Sequence, residues 1–209
     1  MITESLLKQV LIEQKELIKP SPEYIERDLI KKVLQFHKLK HIVVITGHRR
    51  AGKSVFLSQI IHKYYGMDEV YYLNLDDERL ASLKCEDMNK VMEVFHVLFR
   101  NKKVIFPDEI QNLEDWERFV ARLYNQGYKI YITGSNARLL SSELATLLTG
   151  RYVEIEIFPF SFREFLIYRG FGIDNVEKQK TYYKTETKAQ IRRLLEEYLI
   201  TGAIEDKKR

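Results

Sequence analysis

Between residues 4 and 18 the apolar side chains Leu7, Val10, Leu11, Ile12, Leu17 and Ile18 recur at mostly helical spacing, and Pro20 and Pro22 end the run. Residues 23–39 predict a second amphipathic helix, with Ile25, Leu29, Ile30, Val33, Leu34 and Phe36 on its apolar face. The pattern then changes period. HIVVIT at 41–46 is a short β-branched run of the kind that forms a buried parallel strand. Strand and helix alternate from there: a helix after Gly52, VYYLNL at 70–75, and a helix over 86–100 with Met88, Val91, Met92, Phe95, Leu98 and Phe99 inward. KVIFPDE at 103–109 follows, then a helix near 114–125 carrying Trp116, Phe119, Val120 and Leu123, and YKIYIT at 128–133. A helix over about 137–148 precedes RYVEIEI at 151–157, whose Glu154 and Glu156 alternate with Val153, Ile155 and Ile157 as in an edge strand. Five strands alternating with helices predict an α/β fold on a mostly parallel sheet.

Ser161 and Glu164 form a capping-box pattern that opens a helix through Tyr168, closed by Gly170 and Gly172. Residues 173–188 are polar and rich in Lys and Glu, so they predict a solvated connection. Ile191, Leu194, Leu195, Tyr198 and Leu199 mark a last amphipathic helix. The expected organisation is an N-terminal helix and break over 1–22, a core over 23–170, and a helical extension over 171–209.

Composition narrows the chemistry. The 209 residues are 45% hydrophobic and 31% charged, ordinary for a folded domain. A net charge of +4, from 34 basic and 30 acidic side chains, is too small to argue by itself for nucleic acid. The basic stretch 178–193 raises that partner, but its interspersed glutamates read more simply as a solvated face. Cys85 is the only cysteine, which excludes an internal disulfide and suits the cytoplasm. Of the five histidines His37 and His41 stand at HxxxH spacing, a single pair that does not by itself make a metal site, and no apolar run approaches a membrane span.

Residues 47–54, GHRRAGKS, match GxxxxGK[ST] at Gly47, Gly52, Lys53 and Ser54, between a predicted strand and helix. Such a loop turns successive backbone N–H groups, here those of His48, Arg49, Arg50, Ala51 and on to Val55, toward one anionic centre at a helix N-terminus. Lys53 is then expected to reach the β- and γ-phosphates of ATP, and Ser54 to bind Mg2+. Arg49 and Arg50 add positive charge over the phosphates or are simply solvated. Asp108 and Glu109 end an apolar strand at the edge where ligands bind in open α/β sheets. Asp108 is expected to hold Mg2+ through its water shell, and Glu109 to orient the attacking water. Pro107 is unusual there, because proline cannot donate to a ladder. TGSN at 133–136 admits two readings: Ser135 or Asn136 senses the γ-phosphate, or the run is a turn and helix cap. Arg151 likewise is either an arginine offered in trans to a neighbour's γ-phosphate or a surface residue, with Arg138 a weaker alternative.

GHRRAGKS resembles a GPRRxGK[ST] Walker A loop, VIFPDEIQNLEDWE resembles a Walker B segment of the form IFLDEIQNxxDWE, and ITGSNARLLSSELATLLTGRYVEIEIFPFSFREFL resembles the corresponding segment of prokaryotic, mainly archaeal, AAA-like ATPases. The resemblance covers about residues 25–170. It implies the additional-strand, catalytic-glutamate type of P-loop NTPase with sheet order 5-1-4-3-2. It supports the roles given to Lys53, Ser54, Asp108 and Glu109, and to Ser135, Asn136 and Arg151. His48 stands where the family has proline, and Pro107 where it has leucine. Family members continue into a helical lid and a C-terminal domain, whereas YLITGAIEDKKR ends here.

The function expected is Mg2+-dependent ATP hydrolysis coupled to a protein partner or to homo-oligomer assembly. The alternative is a nucleotide-gated switch with little turnover. A small-molecule kinase is disfavoured by the adjacent Asp-Glu pair, and a GTPase by the absence of DxxG and NKxD. The segment from Ile25 to Leu29 is the candidate to pack over the base.

Overall fold

The computed structural model describes residues 2–18, 24–135, 148–171 and 185–201. The predicted helix over 137–148, apart from buried Leu148, lies outside the described residues, as do Asn136 and Arg138. Of the connection predicted over 173–188, residues 173–184 also lie outside them, and 185–188 are a correction, since they open the helix Thr185–Thr201.

Five parallel strands form one sheet: β1 (Ile42–Gly47), β2 (Val70–Asn74), β3 (Val104–Asp108), β4 (Lys129–Gly134) and β5 (Tyr152–Ile157). Their spatial order is β2-β3-β4-β1-β5, the 5-1-4-3-2 arrangement read from the other edge. Because side chains alternate across a strand, β1 feeds two cores. Ile42 and Val44 face one with Tyr71, Leu73, Ile105, Ile130 and Ile132; Val43 and Ile45 face the other with Tyr72, Phe106, Tyr131 and Ile157. Every residue of β1 is buried, as its continuous apolar run predicts, whereas β5 buries Ile155 and Ile157 and exposes Glu154 and Glu156 at the edge.

Helices cover both faces. The first core takes α1 (Glu4–Leu17), α4 (Met88–Phe99, entered through a 3-10 turn at Cys85–Asp87) and α5 (Trp116–Asn125); the second takes α2 (Ile30–Leu34) and α3 (Lys53–Tyr64). On α5 the predicted set Trp116, Phe119, Val120 and Leu123 is the buried one. On α1 the buried stripe is narrower than the apolar pattern, since Leu7, Val10 and Leu11 are fully buried but Ile12 and Leu17 are 47% and 81% exposed. Buried Gln14 completes that stripe and ties α1 to β2: its amide donates to the Asn74 carbonyl at 2.9 Å and accepts from the Asn74 N–H at 2.8 Å.

The helix predicted over 23–39 is a correction, since α2 spans only Ile30–Leu34. Backbone groups that a helix would need are taken by distant side chains. The Arg27 N–H donates to Gln59 Oε1, the Ile25 carbonyl accepts from Gln59 Nε2, and the Asp28 N–H donates to Glu164 Oε1. After α2 the Lys129 ammonium donates to the carbonyls of Phe36, Leu39 and His41, which fixes the chain's approach to β1. The capping box of α6 (Phe162–Tyr168) forms as predicted between Ser161 and Glu164. The last described helix, α7 (Thr185–Thr201), leans on α6 through Tyr198, whose hydroxyl donates to the Phe160 carbonyl at 2.9 Å. Among the described residues no helix is long and apolar enough to cross a membrane.

Candidate functional site

The loop from Gly47 to Gly52 joins β1 to α3, so its backbone lies over the carboxyl ends of the strands and at a helix N-terminus. Two glycines meet conditions that other residues do not. Gly52 has φ +89°. Gly47 has φ +149°, and a Cβ there would sit 2.3 Å from the Ile157 carbonyl oxygen of β5. Gly47→Ala is therefore expected to cost about 2–4 kcal/mol, from backbone strain plus displacement of the β5 end, as measured by urea denaturation. His48, Arg49 and Arg50 are exposed, and Ala51 is buried.

Lys53 opens α3 with a side chain only 3% exposed. Its ammonium donates to the carbonyls of Gly47 and His48 at 3.3 and 3.4 Å and pairs with Glu109 Oε1 at 3.2 Å. Ser54, the next residue, is exposed, and its hydroxyl lies beside the Asp108 carboxylate. Asp108 is 1% exposed. Burial raises its pKa, opposed by the nearby hydroxyls of Thr133, Ser54 and Tyr72. Thr133 Oγ1 donates to Asp108 Oδ1, and the Tyr72 hydroxyl donates to Oδ2 at 2.9 Å.

Pro107 leaves this strand end intact. The Asp108 carbonyl accepts from Leu75 N–H and so faces β2, which turns residue 107 toward β4. Pairing with β2 runs the full length of β3, to Asn74 opposite Asp108, whereas the β4 register covers Val104 and Ile105. Thr133 makes the connection to β4 instead, accepting the Glu109 N–H at 2.8 Å while donating to Asp108.

Glu109 occupies the left-handed region, φ 52° and ψ 53°, a conformation costing a non-glycine residue about 1–3 kcal/mol. This backbone turns its carboxylate back toward Lys53. Gln111 Nε2 donates to the other carboxylate oxygen at 2.6 Å and to Ser135 Oγ at 3.2 Å. Ser135 thus joins the site through an amide that sequence reasoning did not single out. Arg151 does not join it: it precedes β5, its carbonyl accepts from Ile42 N–H at the start of β1, and its guanidinium lies 5.5 Å from the centre of the Tyr124 ring. The length of β1 separates it from its own loop by roughly 15–20 Å.

Beside the loop, Tyr24, Ile25, Gly52, Val55 and Phe160 line a pocket. Its wall is set by Arg27, whose guanidinium donates to Glu164 Oε1 at 2.9 Å, the Ala51 carbonyl at 3.1 Å and the Phe158 carbonyl at 2.6 Å. Arg27 went unnoticed in the sequence because an arginine among helical-looking residues reads as solvated. Glu164 was legible only as a cap.

Ser54 and Asp108 together offer hydroxyl and carboxylate oxygens, the hard donors that suit Mg2+, and the open side at exposed Ser54 leaves room for water and phosphate oxygens. Among the described residues no group of three or more His, Cys, Asp or Glu side chains gathers as a protein-only metal site.

Similar proteins agree with this architecture. The chain is 39% identical over 197 residues to uncharacterized protein MJ1544 of Methanocaldococcus jannaschii, covering 94% of this chain and 42% of that one. It is 40% identical over 143 residues to an uncharacterized protein of Haemophilus influenzae, covering 66% and 36% respectively. The chain therefore spans less than half the length of these relatives. Among solved structures, the Walker-type ATPase PABY2304 of Pyrococcus abyssi superposes with TM-score 0.53 at 17% identity over 76% of this chain and 61% of its own. The S. cerevisiae Hsp104:casein complex superposes with TM-score 0.55 at 17% identity over 80% of this chain and 33% of its own. These two likenesses concern the fold. The AAA domain profile matches residues 39–166, more than half of the chain, and the chain accordingly belongs to the AAA domain family, as an ATPase-like P-loop module.

Proposed function

We propose that the chain binds ATP with Mg2+ and hydrolyses it to ADP and phosphate. The observation that carries this is the convergence of Lys53, Ser54, Asp108 and Glu109 at the carboxyl ends of β1 and β3, with Lys53 3.2 Å from Glu109 and Ser54 beside Asp108. The backbone from Gly47 through Val55 cradles the phosphates, and the Lys53 ammonium binds their β- and γ-oxygens. Ser54 and Asp108 hold Mg2+, which neutralises phosphate charge when bound. Glu109 orients a water whose oxygen forms a bond to the γ-phosphorus as the bond to the ADP oxygen breaks; the water's proton passes to the Glu109 carboxylate and then to solvent or the released phosphate. Ser135, with Asn136, reports the γ-phosphate. Arg151, too far from its own loop, acts in trans on the site of a second copy, with turnover coupled to assembly or to a protein partner in the cytoplasm. The ATPase core spans 23–170.

Glu109→Gln keeps the shape of the side chain and removes its basicity. It is expected to slow steady-state phosphate release about a hundredfold or more while ATP binding persists. Turnover equal to that of the wild type would sink the hydrolytic reading. The second reading, a nucleotide-gated switch with little turnover, is favoured by the way Lys53 and Gln111 both hold Glu109. Rapid multiple turnover by the isolated chain rules it out.

A further inference from the structure

The partners of Glu109 differ in strength. Charge-assisted N–H to carboxylate bonds run about 2.7–2.9 Å. The Gln111 contact, at 2.6 Å, is at least that tight, whereas Lys53 stands off at 3.2 Å and reaches its two carbonyl acceptors only at 3.3 and 3.4 Å. The ammonium is thus loosely held on every side, and a triphosphate offers it closer anionic oxygens. The carboxylate it leaves stays on the amide.

Gln111 is presented from a fixed support. It lies in the 3-10 turn Ile110–Asn112, with Ile110 fully buried and Leu113 1% exposed. Asn112 pins that turn to the end of β2 by donating to the Leu75 carbonyl and Asp76 Oδ1. A carboxylate only accepts, so the amide nitrogen must face Glu109. The amide oxygen is then buried without a hydrogen-bond partner among the described residues, a cost that an apolar side chain of similar size would avoid. The amide is explained by what its nitrogen does: it joins Glu109 to Ser135.

We propose that Gln111 is a positioning residue for hydrolysis: it holds the Glu109 carboxylate in place after Lys53 transfers from Glu109 to the phosphates, and ties that carboxylate to Ser135 at the γ-phosphate side. This rests on the hydrolytic reading above. The site then has two arrangements, one with Glu109 shared between Lys53 and Gln111, and one with Glu109 on Gln111 alone and free to engage water. Gln111 touches neither phosphate nor water and acts through Glu109.

The test is a double-mutant cycle in the full chain, with phosphate release followed by steady-state and single-turnover assays and ATP affinity by equilibrium binding. Gln111→Ala is expected to lower kcat about tenfold or more, with ATP affinity changed by less than about twofold. In a Glu109→Gln background the same change is expected to alter the residual rate by less than about twofold, because the group through which Gln111 acts is already gone. Gln111→Met, close in size but unable to donate, repeats the test should the alanine variant fold poorly. Wild-type kcat in these variants, or an equal loss in both backgrounds, overturns the inference alone and leaves a Glu109-dependent reaction standing. A Glu109→Gln protein as active as wild type removes the hydrolytic reading and this inference together.

Discussion

Glu164→Ala is expected to destabilise the protein by about 3–5 kcal/mol, because it leaves the Arg27 guanidinium buried without its countercharge. The two side chains are 6% and 3% exposed, and Glu164 is satisfied on both oxygens by Arg27, Asp28 N–H and Ser161 N–H. Its pKa is pushed up by burial but held below the ordinary value of 4.5 by the Ser161 and Asp28 N–H groups and by Arg27, which together outweigh the burial. A depressed folded-state pKa contributes stability that is fully present above the unfolded value and is lost as pH falls through the folded one. Urea denaturation of wild type should therefore show an acid loss beginning near pH 4.5 and continuing below it. Glu164→Gln should flatten that part of the profile and be less stable than wild type at pH 7. An unchanged midpoint for the alanine variant would refute the role given to the pair. Arg27 also holds the Ala51 carbonyl inside the phosphate loop, so residual ATP binding in these variants should weaken as well.

Lys53→Met is expected to weaken ATP binding by about 10- to 150-fold, the equivalent of one charge-assisted hydrogen bond of about 1.5–3 kcal/mol. The fold should survive. Methionine keeps the apolar stem, and the acceptors released are the Glu109 carboxylate, still held by Gln111, and two carbonyls bonded at the long distances of 3.3 and 3.4 Å. Equilibrium binding of ATP beside thermal unfolding separates the two effects. Loss of affinity with little change in Tm is the expected pair of results, and undiminished affinity would exclude Lys53 from the phosphate site.

Long periodic runs were the most legible parts of the chain. The five strands, α5 with its four inward residues, and the capping box of α6 all lie where the sequence puts them, because each depends on neighbours within a few residues. The helix expected over 23–39 shrank to Ile30–Leu34, because Gln59 and Glu164, 32 and 136 residues away from the backbone groups they bind, claim the preceding segment. Tyr72 looked like one more apolar strand residue. Only its position on β2, beside β3, shows that its hydroxyl holds Asp108.

By itself the sequence determined that Gly47–Ser54 form a glycine loop between strand and helix, and that an acidic pair ends a later strand. Both are local patterns: an apolar run, a turn, a helix start. The tertiary structure decided which side chains meet there. The order β2-β3-β4-β1-β5 places Thr133 and Tyr72 on either side of Asp108, a left-handed residue at 109 turns its carboxylate to Lys53, and an ion pair spanning 137 residues braces the loop. Such contacts follow from strand neighbourhood and backbone dihedrals, and neither is written in residue spacing along the chain.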